Sequence, residues 1–311
     1  MRYFILSILA VSIFMPSYVT AHEHEGAEKH DAAEANAEAE TVSDTSVIKL
    51  TDSIYMIQVG GGNIALSLGD QGVFMIDNGL ADNKDKVMNA IKGLTDKPVK
   101  ILVNTHWHYD HAGNNESFGD QDTIIIAQEN VRKRLKEGGT IAAFDKIIEP
   151  AAVKALPVLT YDDEIKVHLN GSAAHIIKID PAHTDGDSII FWPEENILHT
   201  GDLFFNGFFP FIDVSSGGNL KGMIAAADKM LGMVNETTKI IPGHGPLGNK
   251  SDLEAYSKML KTIAERVKTF KETNQTKEQW IAKNPLIDMD EEWGDGFLPN
   301  EKFTNIIWDA Y

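Results

Sequence analysis

His106-Trp107-His108-Tyr109-Asp110-His111 follows closely on the apolar run Val99-Lys100-Ile101-Leu102-Val103, and its reading decides the fold. Three imidazoles and one carboxylate fall within six positions. Both groups are good ligands for zinc and similar divalent ions. In an extended segment, side chains two apart point the same way, so His106 and His108 can grip one ion together. If the chain then turns into a helix, Asp110 and His111 leave in another direction and can reach a second ion. The plainer alternative is a surface histidine cluster without a ligand. The apolar run ahead of the cluster argues against it.

Composition bounds the rest. The chain has 311 residues, 43% hydrophobic and 24% charged, enough to bury a large core. Its net charge is -18 and no block of Lys and Arg stands out, which disfavours a nucleic-acid partner. With no cysteine, disulfides, thiolate nucleophiles and thiolate ligands are all excluded. Residues 1–21 read as a signal peptide: Met1-Arg2, the apolar run Tyr3 to Met15, the breakers Pro16 and Ser17, and Val19-Thr20-Ala21 as a cleavage pattern. An uncleaved anchor is the alternative, but the run is short for a bilayer. We expect export, most simply to a bacterial periplasm, with no stable membrane anchoring after cleavage. Residues 22–45 are rich in Ala, Glu and His and lack the apolar surface to order themselves. His22, His24 and His30 suggest weak zinc capture there, although a solubilising linker explains the composition as well. Residues 46–311 are expected to form the folded domain.

Within that domain, strands are expected at Ile54–Val59, Ile64–Leu68 and Val73–Ile76, then a helix over Asp82–Leu94 and a strand leading to His106. A further strand, Thr123–Ala127, precedes a helix over Gln128–Glu137. Gly138 to Pro157 has no clear period and suggests a flap or short helices. Four strands follow between Glu164 and Thr200. Then come a helix over Leu220–Leu231, a short strand at Lys239–Pro242, and a long helix from Ser251, its expected cap. The last stretch, Lys277 to Tyr311, is helical in parts. Strands followed by a helix occur twice, which two stacked sheets with helices outside would satisfy.

Three later residues sit where apolar runs stop and Gly or Pro bends the chain. They are His183 in Pro181-Ala182-His183-Thr184-Asp185-Gly186-Asp187, Asp202 in His199-Thr200-Gly201-Asp202, and His244 in Ile241-Pro242-Gly243-His244. Singly, each could be a solvated loop residue. Taken together and in this order, the seven residues resemble the metallo-β-lactamase superfamily, as do Gly62-Asn63 and Asp77 near the first strands. The resemblance covers about Val47 to Pro246. It implies an α/β fold, a four-layer αββα sandwich, here with extra C-terminal helices. It also implies two zinc ions per chain: His106, His108 and His183 on one, Asp110, His111 and His244 on the other, and Asp202 bridging. Iron or manganese suits the same nitrogen and oxygen ligands. Asp77 is the expected partner of a ligand histidine. His168 and His175 read as structural or surface residues, and His199 as uncommitted.

The implied reaction is hydrolysis of a small-molecule thioester, ester, lactone or amide by a metal-bound hydroxide, with Asp110 orienting the nucleophile or relaying its proton. Departures narrow this. The residues after Asp202 are Leu203, Phe204, Phe205 and Asn206, where β-lactamases commonly carry a carboxylate-binding lysine. Asp202 instead resembles the bridging aspartate of glyoxalase II, whose basic glutathione-binding residues have no evident counterpart. A periplasmic β-lactamase and a zinc-buffering protein are the alternatives. Substrate contacts are expected from Gly62, Asn63, Phe205 and Asn206, with Phe204 to Phe211 as an apolar wall. Trp107 and Tyr109 should point away into packing. The oligomeric state is left open.

Overall fold

The computed structural model of the protein describes residues 45–311. The expected leader and nearly all of the low-complexity stretch, with His22, His24 and His30, lie outside the described residues. Strands β1 (Ser46–Lys49), β2 (Ile54–Gln58), β3 (Ile64–Gly69) and β4 (Gly72–Ile76) form an antiparallel meander. Helix α1 (Lys84–Leu94) returns the chain so that β5 (Val99–Val103) lies parallel to β4. Two short helices, α2 (Tyr109–Ala112) and α3 (Asn115–Gly119), lead to β6 (Ile124–Gln128). Helix α4 (Glu129–Glu137), the hairpin β7 (Gly139–Ile141) and β8 (Lys146–Ile148), and edge strand β9 (Leu159–Tyr161) follow. The first sheet has the order β1-β2-β3-β4-β5-β6-β9.

The second sheet holds β10 (Glu164–Leu169), β11 (Ser172–Lys178), β12 (Ser188–Trp192), β13 (Ile197–His199) and, after helix α5 (Leu220–Leu231), β14 (Lys239–Ile241). Helices α6 (Lys250–Glu272), α7 (Lys277–Lys283), α8 (Asp290–Trp293) and α9 (Asn300–Ala310) complete the chain. No helix among the described residues is long and apolar enough to cross a membrane.

The layers follow from strand periodicity. Successive side chains face opposite ways, so Phe74 and Ile76 enter the core between the sheets while Val73 and Met75 pack outward with Val87 and Ile91 of α1. In the second sheet, Ile190 and Ile197 face inward. Ile189, Leu198 and Ile240 face out to Met223 and Ala226 of α5 and Leu253 and Leu260 of α6. Each sheet is thus apolar on both faces and needs a helical layer outside, which gives the expected αββα sandwich. Each buried aliphatic or aromatic side chain contributes roughly 1.5–3 kcal/mol. One parallel pair in each sheet matters for function. Ile76 lies opposite Val103, and His199 lies opposite Ile241. The chain leaves these four strand ends at Asp77, at Asn104 to His111, at Asp202 and at His244.

One local expectation changes, at the cap of α6, and the structure adds detail in two places. Gly138 to Pro157 forms the β7–β8 hairpin and two 3-10 turns. Strand β9 has two exposed residues in three, so it lacks the apolar run that marks a strand in sequence. Helix α6 is capped by Asn249, not Ser251: Asn249 Oδ1 accepts from Asp252 N at 3.2 Å, and Asp252 Oδ2 accepts from Asn249 N at 2.9 Å. This capping box predicts that Asn249→Ala costs about 1 kcal/mol. Calorimetry should show a melting temperature lower by about 2–4 °C, with Ser251→Ala changing it far less.

Candidate metal centre

The two sheets bring all seven expected ligands to one edge. Ligating atoms of His106, His108, His183 and Asp202 lie within 4.8 Å of one another, and so do those of Asp110, His111 and His244. The local chain geometry explains the division. His108 is still extended (φ -64°, ψ 149°) and is the last residue before α2. His106 and His108 therefore face the same way, their ring centroids 4.8 Å apart, while Asp110 and His111 leave on the first helical turn. His108 Nδ1 sits 2.9 Å from His183 Nε2. Asp202 stands between the two groups. Its Oδ1 is 3.0 Å from His111 Nε2, and its Oδ2 is 3.4 Å from His244 Nε2, 3.5 Å from His183 Nε2 and 3.8 Å from His106 Nε2. His244 Nε2 is also 3.2 Å from Asp110 Oδ2.

Burial opposes charge at each of these groups, and their separations decide which effect wins. At His111, the attraction of Asp202, Asp110 and Asp77 outweighs burial and holds the pKa well above the ordinary value. At His244, Asp202 and Asp110 likewise raise it to about 9. The imidazoles in turn outweigh burial at Asp110, lowering it to about 2, and keep Asp202 well below the usual carboxylate range. At His106 and His183 burial dominates: His183 falls to about 4 and His106 well below its ordinary value. Both stay neutral, the form that donates a lone pair. One buried atom aimed into the cluster, His106 Nε2, has no hydrogen-bond partner, and Asp202 Oδ1 faces only the His111 imidazole at 3.0 Å. Buried lone pairs of this kind cost free energy unless satisfied. A nitrogen-and-oxygen donor set with such an orphan fits divalent metal ions.

The outward-facing nitrogens have partners of their own. Asp77 accepts Thr105 N at 2.8 Å and Thr105 Oγ1 at 2.7 Å, and its Oδ2 lies 2.8 Å from His111 Nδ1. It thereby clips the end of β4 to the loop after β5. His183 Nδ1 lies 2.8 Å from the Phe211 carbonyl. Asp213, which the sequence reading did not pick out, lies 3.0 Å from His108 Nε2 through its Oδ2. His108 and the hydroxyls of Ser215 and Ser216 overcome its burial and hold its pKa well below the usual range. Buried Asp187 accepts the backbone N–H of His183 and Thr184, although burial still pushes its pKa up to about 7. His199 is buried and joins two loops: its Nδ1 accepts from Gly201 N, and its Nε2 lies 3.3 Å from the Asn63 carbonyl. The only sequence hint of Asp213 is its turn-like Asp-Val-Ser-Ser setting.

The four expected substrate contacts support the cluster from behind. A Cβ on Gly62 would lie 2.2 Å from His111 Cε1, so glycine is required for this loop to approach the imidazole. The Asn63 amide donates to the Pro242 and Gly245 carbonyls at 2.8 and 3.0 Å, tying the glycine loop to the His244 loop. Phe205 is buried and stacks on His244, with centroids 5.3 Å apart and planes 11° apart. Asn206 donates to the Pro246 carbonyl. None of the four lines the cavity beside the ligands. That cavity, of about 280 Å³, is lined by Gly61, Leu80, Tyr109, Ile141, Phe144, Phe211 and Phe297 with the ligands His108, Asp110 and His244. Tyr109, expected to turn into packing, is therefore a wall residue and 38% exposed. Trp107 is buried and donates to Ser216 Oγ. A larger open groove of about 840 Å³ along α6 contains none of the ligands.

Comparison with known proteins agrees with this geometry. A probable metallo-hydrolase of Methanocaldococcus jannaschii is 27% identical over 213 residues, covering 66% of this chain and 92% of that protein. Another probable metallo-hydrolase, from Bacillus subtilis, is 26% identical over 187 residues, covering 59% of this chain and 85% of that protein. The solved structure of a metallo-beta-lactamase from Pontibacter korlensis shares the fold at a TM-score of 0.59 and 19% identity, covering 70% of this chain and 99% of that one. Residues 57–244, which include all seven ligand positions, match the family model described as the metallo-beta-lactamase superfamily, and the chain belongs to that superfamily.

Proposed function

We propose that the protein is a binuclear zinc hydrolase acting on a thioester, ester, lactone or amide bond of a small molecule. The position of Asp202 carries this reading, because its two oxygens reach histidines of both ligand groups. His106, His108 and His183 would hold one ion, Asp110, His111 and His244 the other, with Asp202 shared. When bound, such ions polarise a carbonyl and lower the pKa of water to about 7.

The chain's own residues supply the rest. Asp110 is a ligand candidate that also borders the cavity, so its carboxylate can orient the attacking water and carry a proton on Oδ2 towards the leaving group. Leu80, Ile141 and Phe211 make part of the cavity lining apolar, which lowers the local polarity and strengthens electrostatic interactions beside Asp110. Asp77, Asp213 and the Phe211 carbonyl fix the orientation of His111, His108 and His183, so the donor atoms are preorganised. Export rests on residues 1–21 alone. It places the reaction outside the cytoplasm, most simply in a periplasm.

Three outcomes test these points. A panel of a lactoyl-thioester of glutathione, lactones, aryl esters and a cephalosporin reporter should yield turnover for at least one class, and Asp110→Ala should abolish it with the fold intact by circular dichroism. Turnover by none of the panel while the protein binds zinc would favour the buffering alternative. Asp213→Ala should weaken zinc binding about 10- to 100-fold in competition with a chelating dye, since His108 loses its Nε2 partner; unchanged affinity would refute that role. N-terminal sequencing of protein recovered from its host should begin at His22, and an intact Met1 would refute cleavage.

A further inference from the structure

The cavity wall facing the ligands is assembled from two segments that the chemistry does not use. Phe144 comes from the turn of the β7–β8 hairpin. Phe297 comes from the Gly294-Asp295-Gly296-Phe297 stretch between α8 and α9, outside the residues that match the superfamily. Both are held in place. Gly296 packs so closely on Phe208 that a Cβ there would fall 2.7 Å from Phe208 Cβ. Phe209 N donates to the Trp293 carbonyl at 2.8 Å, which fastens the same stretch. On the other side, Ala142 N donates to Ser215 Oγ, and Ser215 donates to the Asp213 carboxylate that partners His108. Lys302 Nζ sits 3.9 Å from the centre of the Phe144 ring, a cation–π contact that fixes that ring.

The result is an aromatic rim beside the ligands. The Phe297 centroid is 5.7 Å from that of His244 and 6.4 Å from that of Phe144, and the Phe144 centroid is 4.9 Å from that of Phe211. Phe297 remains 50% exposed despite these neighbours, so its free surface is available to an apolar group entering the cavity. Among the lining residues there is no lysine, arginine or glutamate. The single carboxylate, Asp110, belongs to the ligand set. The nearest cations, Lys302 and Lys146, sit over the Phe144 and Tyr109 rings and do not line the cavity, so a charged substituent against this wall would lose hydration for little return. At about 280 Å³, the space suits a group the size of one ring or a short chain.

We infer that Phe144 and Phe297 are specificity-determining residues, selecting substrates that carry an uncharged aryl or short acyl group beside the scissile bond and rejecting those charged there. The inference rests on the hydrolase reading only in treating the bound molecule as a substrate. Its test therefore measures binding rather than turnover. Calorimetry on the zinc-loaded protein compares 3-phenylpropan-1-ol with 4-(3-hydroxypropyl)benzenesulfonate, which keeps the hydroxyl and puts the charge on the ring. The alcohol is expected to bind about tenfold or more tightly than the sulfonate. Phe297→Ala and Phe144→Ala should each weaken the alcohol about five- to tenfold, Phe297→Leu should retain most of the affinity, and zinc content should not change. Equal or tighter sulfonate binding, no binding of the alcohol, or wild-type affinity in both alanine variants would overturn the inference. A protein that binds the alcohol but cleaves nothing in the ester panel would refute the hydrolase reading and leave this one standing.

Discussion

Two carboxylates and five imidazoles meet in one buried space at the edge between the sheets, and the rest of the structure is arranged around the electrostatic demands of that cluster. A buried charge is tolerated only beside an opposite charge or a set of hydrogen-bond donors. Asp202 meets the demand from the centre, and Asp77 meets it from behind by binding Thr105 twice and facing His111. Removing either partner would leave buried polar atoms uncompensated. The rigid sandwich is therefore a condition of the site as well as its scaffold.

The architecture meets this condition through strand ends. Parallel neighbours β4 and β5 in one sheet, and β13 and β14 in the other, release their chains side by side. Loops that leave adjacent strands in the same direction can converge without long excursions, as at the strand ends of other open α/β sheets. A buried amide network then stiffens the base of the loops. The Asn115 amide bridges Asn104 and the Ala155 carbonyl, and Asn114 binds the carbonyls of Asn78 and Leu80. These contacts hold α2, and with it Asp110 and His111, at a fixed angle to β5.

The sandwich and the convergence of the seven candidate ligands were legible because each leaves a one-dimensional trace. Alternating apolar strands repeat on either side of helices with clear periods. The candidate ligands are histidines and aspartates just beyond apolar runs, four of them in one six-residue stretch and His183, Asp202 and His244 in Gly- or Pro-bent turns. The helix cap at Asn249 was misread by two residues because Ser251 is an equally good capping residue by type, and only the reciprocal bond from Asp252 separates them. Asp213 left no comparable trace. An aspartate before Val-Ser-Ser resembles any turn residue, and its partner His108 is remote in sequence. Gly62 and Asn63 stood out in the sequence, and the structure packs them against His111 and the His244 loop. Sequence shows that a glycine loop approaches something closely, while the side of approach is set by packing on His111 and Pro242. Phe297 was invisible for the same reason, since its place on the cavity depends on Gly296 settling against Phe208.

Asp202 is proposed to be shared by two metal ions, and metal stoichiometry tests this most directly. Protein dialysed against excess zinc and freed of loose metal should retain about two zinc ions per chain by elemental analysis. Asp202→Ala should lose at least one of them while keeping the native circular dichroism. A wild-type protein that retains one ion or none, or an Asp202→Ala variant that still holds two with unchanged affinity, would contradict the account.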